Sequence, residues 1–228
     1  MKLHDRLQRD KQKRFLVHGH HIVYEALKAG LLVEIISTYQ PKSSQVPVHL
    51  VTRDVMDRLS VQASASKIMG VARQKPETSI DGNAVIVYAV HHPGNLGTII
   101  RSGVAFDADT IIVEASVDVY NPKVVQASQG MIFYANIVKG QVMQHAASLK
   151  EKGYRIYGAD VHGDTNITDV ATWGKWALVL GNESEGVPRP LLDMCDKRIR
   201  IGISKRCESL NVGVAAGILL HRLALKEN

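Results

Sequence analysis

The chain has 228 residues, enough for one large or two modest domains. Hydrophobic residues make up 45% of it and charged residues 22%, an ordinary globular balance, and no apolar run approaches the ~20 residues that span a bilayer. The formal net charge of +6 favours a polyanionic partner, most simply a nucleic acid, while two cysteines without a CxxC pair argue against a structural zinc or a disulfide framework and fit a reducing cytoplasm.

Residues 2–14 carry Lys2, Arg6, Arg9, Lys11, Lys13 and Arg14. No apolar core follows, so this is not expected to be a secretory signal. It reads as a flexible basic arm or a solvated helix, either of which would contact phosphates without reading sequence. In FLVHGHHIVYEALKAG, Leu16 and Val17 read as a strand end, Ile22, Val23, Ala26 and Leu27 as one helix face, and Gly30 as the stop. His18, His20 and His21 show no HxxxH spacing, neighbouring cysteine or carboxylate partner, and no metal site is expected there. LLVEIIST and VPVHLVT read as strands around a PKSSQVP surface loop. TRDVMDRLSVQ reads as a helix capped by Thr52 with Val55, Met56 and Leu59 inward, and KIMGVAR as a closing strand. The Pro-, Ser- and Gly-containing run at 74–83 then breaks the pattern. The expected organisation is a small α/β domain over 1–76, a linker over 77–84 and a second domain over 85–228.

In the second part AVIVYAV, TIIVEA, ANIVK, YRIYGAD and WALVLG read as strands. Between them NLGTIIRSGVAFDA, with Leu96, Ile99, Ile100 and Val104 inward, PKVVQASQGMIFY, opened by Pro122, and QVMQHAASLKEKG, stopped by Gly153, read as helices. PRPLLDMC reads as a short helix. The C-terminal run begins as a strand, Ile199, Ile201 and Ile203 alternating with polar residues. It ends as a helix with Val212, Ala215, Ala216, Leu219, Leu220 and Leu223 on one side. Alternating β and α predicts a mostly parallel sheet covered by helices on both faces, with ligands at the carboxyl ends of strands.

The loops at those ends carry the chemistry. There is no GxGxxG and no GxxxxGK[ST], so a dinucleotide or P-loop site has no support. Instead HHPGNLGTIIRS places Asn95 where it can cap a helix, with Arg101 almost two turns further on. Arg101 reads equally as a ligand contact or a solvated helix residue. LVLGNESEGVP runs a strand into a glycine-bounded loop bearing Glu183 and Glu185, carboxylates suited to hydroxyls or a cationic group. In CESLN, Ser209 and Asn211 sit at a helix start crowded with Gly213, Ala215, Ala216 and Gly217.

HHPGNLGTIIRSGVAF, LVLGNESEGV and RIRIGISKRCESLNVGVAAGILL, in this order and spacing, resemble the three motifs of the SpoU family of RNA ribose 2'-O-methyltransferases, a branch of the SPOUT superfamily. FLVHGHHIVYEAL and the closing GVAR resemble the small RNA-binding domain that many members carry in front. The resemblance implies an α/β fold with a deep C-terminal trefoil knot, S-adenosylmethionine as cofactor, RNA as substrate, no metal, and a homodimer whose interface helps build the active site. Ribosomal RNA is favoured over transfer RNA, and an inactive RNA-binding homologue would show erosion at polar positions that all stand here. Carried over by position, Asn95, Arg101, Glu183, Ser209 and Asn211 are the expected catalytic set. Gly181, Asn182, Ile201, Leu210 and Ala159 are the expected cofactor contacts. Arginine is a poor base, so the expected part of Arg101 is to clamp phosphate and stabilise a forming alkoxide. Asn95, Ser209 and Asn211 would orient the ribose, and Glu183 would position donors, among them an Arg101 from a partner subunit. The sequence departs from the family where Asp107 replaces a glycine after Ala105 and Phe106; aspartate tolerates left-handed backbone better than most residues.

Overall fold

The computed structural model describes residues 2–60, 66–171 and 174–225. After a 3-10 turn (Lys2–His4), the first part runs α1 (Arg6–Gln12), β1 (Arg14–His18), α2 (His20–Lys28), β2 (Leu32–Ser37), β3 (Val48–Leu50), α3 (Arg53–Leu59) and β4 (Ile68–Arg73). Its four strands form one sheet in the order β1-β4-β2-β3, antiparallel except for the β2–β3 pair. Gly30 ends α2 with φ +69°, and the Thr52 hydroxyl accepts the Val55 N–H at the start of α3. Met56 is buried beneath α3, but Val55 faces solvent, because a seven-residue helix lying on a sheet buries only a narrow stripe. Val61 and Gln62, expected at the end of this helix, lie outside the described residues.

The second part runs β5 (Ala84–Tyr88), α4 (Pro93–Ala105), β6 (Thr110–Glu114), α5 (Pro122–Ala127), β7 (Asn136–Lys139), α6 (Val142–Glu151), β8 (Arg155–Ala159), β9 (Thr165–Asn166), β10 (Trp176–Leu180), α7 (Arg189–Leu192), β11 (Lys197–Arg200) and α8 (Val212–Ala224). Ala84, placed in the linker by the sequence reading, opens β5. Seven strands form a parallel sheet in the order β7-β6-β5-β10-β8-β11-β9. Side chains alternate across it. Val85, Val87, Ile111 and Leu178 meet α4, α5 and α8 on one face, while Ile86, Ile112, Ile156 and Val179 meet α6 and α7 on the other. The helix expected over 122–134 is broken, because Gln129 (φ +49°) and Gly130 (φ +85°) turn the chain into a 3-10 segment at Met131–Phe133. The strand expected through Ile203 ends at Arg200. Asp107 adopts φ +57° at the end of α4, the left-handed geometry that glycine otherwise supplies.

β11 lies between β8 and β9, two strands consecutive in the chain. The segment after β8 therefore crosses β11 before returning to form β10. Contacts hold it there: Asp160 N–H donates to the Ile199 carbonyl, and the Arg200 guanidinium donates to the Gly163 carbonyl at 2.6 Å.

The N-terminal segment forms a helix rather than a free arm, and it leaves Arg6, Lys11, Lys13 and Arg14 exposed, but Arg9 turns inward. Arg9 donates twice to one Asp118 carboxylate oxygen, at 2.6 and 3.0 Å, and to the Leu3 and His4 carbonyls. Both partners of this ion pair are buried, so Arg9 is withdrawn from any contact with phosphate. Phe15 of β1 packs between Tyr120 and Phe133, with ring centroids 4.8 and 5.9 Å away, and one apolar core runs from the first sheet into the second. No helix among the described residues is long and apolar enough to cross a membrane.

Candidate active site

A parallel sheet sends every strand's carboxyl end to one edge, where the loops meet. β10 ends at Leu180, and a Cβ on the next residue, Gly181, would collide with the Gly186 carbonyl. This approach lets the loop fold back on itself, with the Asn182 N–H donating to the Gly186 carbonyl at 3.1 Å and the Gly186 N–H returning the bond at 2.9 Å. The Asn182 side chain completes the turn. Its Oδ1 accepts the Ser184 N–H at 2.7 Å, and its Nδ2 donates to the Ala89 carbonyl at 3.2 Å. Ala89 follows β5 with φ +56°, uncommon for a residue with a Cβ, so Asn182 steadies a strained turn leading into α4.

Helix α4 starts at Pro93, earlier than the sequence reading placed it, and His92 holds the cap position without a side-chain bond. Asn95 is therefore inside the first turn and leaves the capping to others. Its Nδ2 donates to Glu183 Oε1 at 2.5 Å, and its Oδ1 accepts Asn211 Nδ2 at 2.9 Å. Asn211 caps α8, its Oδ1 accepting the Gly213 and Val214 N–H groups at 2.9 and 3.2 Å. One relay thus ties the β10 loop to the first turns of two helices. Every polar atom of the Asn95 amide faces a partner, which fixes its orientation.

Beside this relay lies a cavity of about 900 Å³. Ala159, Gly181, Asn182, Ile201 and Leu210 all line it, as do Glu183 and Ser209. Leu180, Ile199, Val212 and Leu219 add apolar wall, while Asp160, Glu185 and Glu208 bring carboxylates. In a basic protein this local excess of negative charge suits a cationic or hydroxyl-bearing ligand better than a phosphate.

Arg101 stands apart. It is exposed on α4, about 9 Å along the helix from Asn95, and among the described residues its guanidinium has no hydrogen bond or ion pair. None of Arg101, Asn95 and Asn211 lines the cavity of its own chain. The sequence reading missed Asp160, His162 and Glu208 as lining residues. The position of 160–162 directly after β8 was the available signal, because that loop leaves the same sheet edge. The three clustered histidines of the first part, His18, His20 and His21, diverge. His18 is buried, His20 stacks on Tyr39, and His21 reaches the Gln129 carbonyl.

Residues 82–221 match the SpoU rRNA Methylase family, and residues 1–70 match the MRM3-like substrate binding domain. Over 230 residues the chain is 30% identical to the 23S rRNA (guanosine(2553)-2'-O)-methyltransferase RlmP of Bacillus subtilis (strain 168), covering 97% of this chain and 93% of that protein. Its fold resembles that of the SpoU methyltransferase AviRb of Streptomyces viridochromogenes, solved in complex with AdoMet. The TM-score is 0.84 at 24% identity, with 97% and 93% of the two chains covered. The A. aeolicus TrmH/SpoU tRNA modifying enzyme, at 25% identity and a TM-score of 0.57, covers 65% of this chain and is itself covered to 76%. With a family match over more than half its length and a relative of nearly equal length, the chain belongs to the SpoU rRNA methylase family.

Proposed function

We propose that the protein transfers the methyl group of S-adenosylmethionine to a ribose 2'-hydroxyl of RNA, above all large-subunit ribosomal RNA, acting in the cytoplasm as a homodimer with a trefoil-knotted catalytic half. The observation that carries this reading is that three motifs, distant in sequence, meet in one hydrogen-bond relay, two of them also lining the cavity beside it. Likeness to RlmP extends over both parts of the chain, which favours ribosomal RNA.

The cavity fits the cofactor. Its volume suits a ligand of nucleoside size, given that such sites span roughly 300–1,000 Å³. Apolar walls suit a flat base, and the carboxylates suit a sulfonium and an ammonium. Bound there, S-adenosylmethionine supplies a methyl group on a positively charged sulfur that departs as a neutral thioether. Gly181, Ile201 and Leu210 would hold it through backbone groups and apolar contact, Ala159 would border the base, and Asn182 would keep the loop closed around it.

Asn95, Ser209 and Asn211 orient the ribose, with Glu183 holding the Asn95 amide in place. Holding the hydroxyl in line with the methyl group supplies several kcal/mol by itself, as orientation in well-aligned reactions contributes about 7–11 kcal/mol at its limit. The Arg101 guanidinium anchors the adjoining phosphate and stabilises the oxygen as its proton passes to solvent water. Its place outside its own chain's cavity supports the dimer, in which Arg101 of one protomer completes the site of the other. Exposed Val214 and Ile218, one turn apart on α8, supply an apolar seam for that contact. The insertion of β11 between β8 and β9 supports the knot.

The test uses methyl-labelled S-adenosylmethionine and ribosomal RNA from a strain lacking the gene. Label is expected on a ribose 2'-oxygen. Arg101→Ala is expected to lower transfer by at least ~100-fold, as loss of an oxyanion-stabilising donor does, while cofactor affinity holds. Undiminished turnover in Arg101→Ala would remove Arg101 from the mechanism.

A further inference from the structure

Of the seven tyrosines in the chain, two are exposed, Tyr24 at 61% in α2 and Tyr39 at 36% just beyond β2. His20 joins them. Its ring stacks on Tyr39 with centroids 5.8 Å apart and 22° between planes, and the Tyr39 hydroxyl lies 3.3 Å from its ring nitrogens. Tyr24 stands one turn along α2 from His20, on the same helix side. The His20–Tyr39 stack and Tyr24 thus share one side of the helix in a row, with the two tyrosines turned to water. The aromatic side chains Phe15, Tyr120 and Phe133 are instead buried where the two parts meet.

Cations flank the row. Lys28 is exposed one turn beyond Tyr24, and Lys42 is exposed in the loop that carries Tyr39. The Lys67 carbonyl accepts both the N–H and the hydroxyl of Thr38, which sets exposed Lys67 next to the residue before Tyr39. Glu25, the acid beside Tyr24, is engaged with the Tyr134 hydroxyl at 2.8 Å. The row also adjoins the catalytic half. His21 meets the Gln129 carbonyl at 3.2 Å, and the neighbouring Ser128 packs against Gly97 in α4, two residues from Asn95.

Exposed rings flanked by lysines suit one kind of ligand well. Bases that are not paired offer both faces for stacking, whereas a duplex hides them, and lysines follow the phosphates between. We propose that Tyr24, His20 and Tyr39 form a stacking platform for unpaired bases of the substrate RNA, so that the enzyme selects a loop or single-stranded segment. This rests on the RNA-methylation reading above.

The test measures binding of the full chain to a fluorescent single-stranded oligouridylate and to a duplex of equal length, and measures methyl transfer to ribosomal RNA with the same proteins. Tyr39→Leu and Tyr24→Ala are each expected to weaken single-strand binding roughly tenfold, as lost base–aromatic stacks do, and to raise KM for RNA alike. Tyr39→Phe, which keeps the ring, should retain most of the affinity. The salt dependence of binding should keep its slope in the tyrosine variants, since stacking releases no counterions, whereas Lys67→Gln should flatten it. Cofactor affinity, read by calorimetry, checks that each variant is folded. Wild-type affinity for the oligouridylate and wild-type KM in Tyr39→Leu and Tyr24→Ala would overturn the platform while leaving the methyltransferase reading intact, and would turn attention to a protein partner for this surface. Absence of methyl transfer by the wild-type protein would instead overturn the reading beneath it.

Discussion

Asn211 does two jobs with two ends of one amide, and two substitutions separate them. Its Oδ1 accepts two N–H groups at the start of α8, while its Nδ2 donates to Asn95 at 2.9 Å. Asn211→Ala removes both functions. Loss of a helix cap costs about 1 kcal/mol, which lowers Tm by about 2–4 °C for a chain of this size. Asn211→Asp keeps the acceptor and places a negative charge at the positive end of the helix, a gain of about 0.3–1 kcal/mol that offsets most of the lost bond to Asn95 and keeps Tm near the wild-type value. It cannot donate to Asn95. The Asn95 amide then has reason to turn its own donor toward the new carboxylate and release Glu183. The bond to Asn211 is worth about 1 kcal/mol and the charged bond to Glu183 about 1.5–3 kcal/mol. At 1.4 kcal/mol per decade, turnover should fall about tenfold to a hundredfold. Thermal unfolding and single-turnover methyl transfer on the same preparations read the two effects apart. Asn211→Asp with wild-type turnover would refute the relay as an orienting device. Activity that merely tracks Tm across both variants would reduce it to a structural role.

Two further outcomes follow from groups remote from the cavity. Arg9→Met strands the buried Asp118 carboxylate and should cost about 3–5 kcal/mol in denaturant unfolding, whereas Arg9→Met combined with Asp118→Leu should recover most of that loss. His18 is buried with neither ring nitrogen hydrogen-bonded, and burial, with His4 second, pushes it down to about 4 from an ordinary 6.5. Between those values the unfolded chain binds a proton that the folded one refuses. Stability present above about pH 6.5 is therefore lost as pH falls toward 4, by up to about 3 kcal/mol. Urea midpoints at neutral and mildly acidic pH should show a drop in the wild type that His18→Leu reduces, and equal drops would refute the assignment.

Local physics wrote much of this protein into its sequence. Strand alternation and helical spacing marked the elements of both sheets except the two-residue β9, Thr52 and Gly30 stand where capping chemistry puts them, and Asp107 takes up the left-handed turn that its side chain tolerates. These features depend on neighbours a few residues away, and the sequence displays those neighbours directly. The three motifs were legible for the same reason, each being a short run at a strand end.

The tertiary structure decided what depended on distant partners. Asn95 read as a cap, and its actual partners, Glu183 and Asn211, lie 88 and 116 residues further along the chain. Arg9 read as a phosphate contact, yet Asp118, 109 residues away, draws it into the interior. Val55 fitted the helical period, but only the width of the face that α3 lays on its sheet left it in solvent. A side chain's chemistry names what it can bond, whereas the path of the backbone through β8, β10 and β11 selects which candidate arrives. Many paths satisfy the same local pattern, and only the packed core that buries the most apolar surface with nearly all its polar groups paired settles on one.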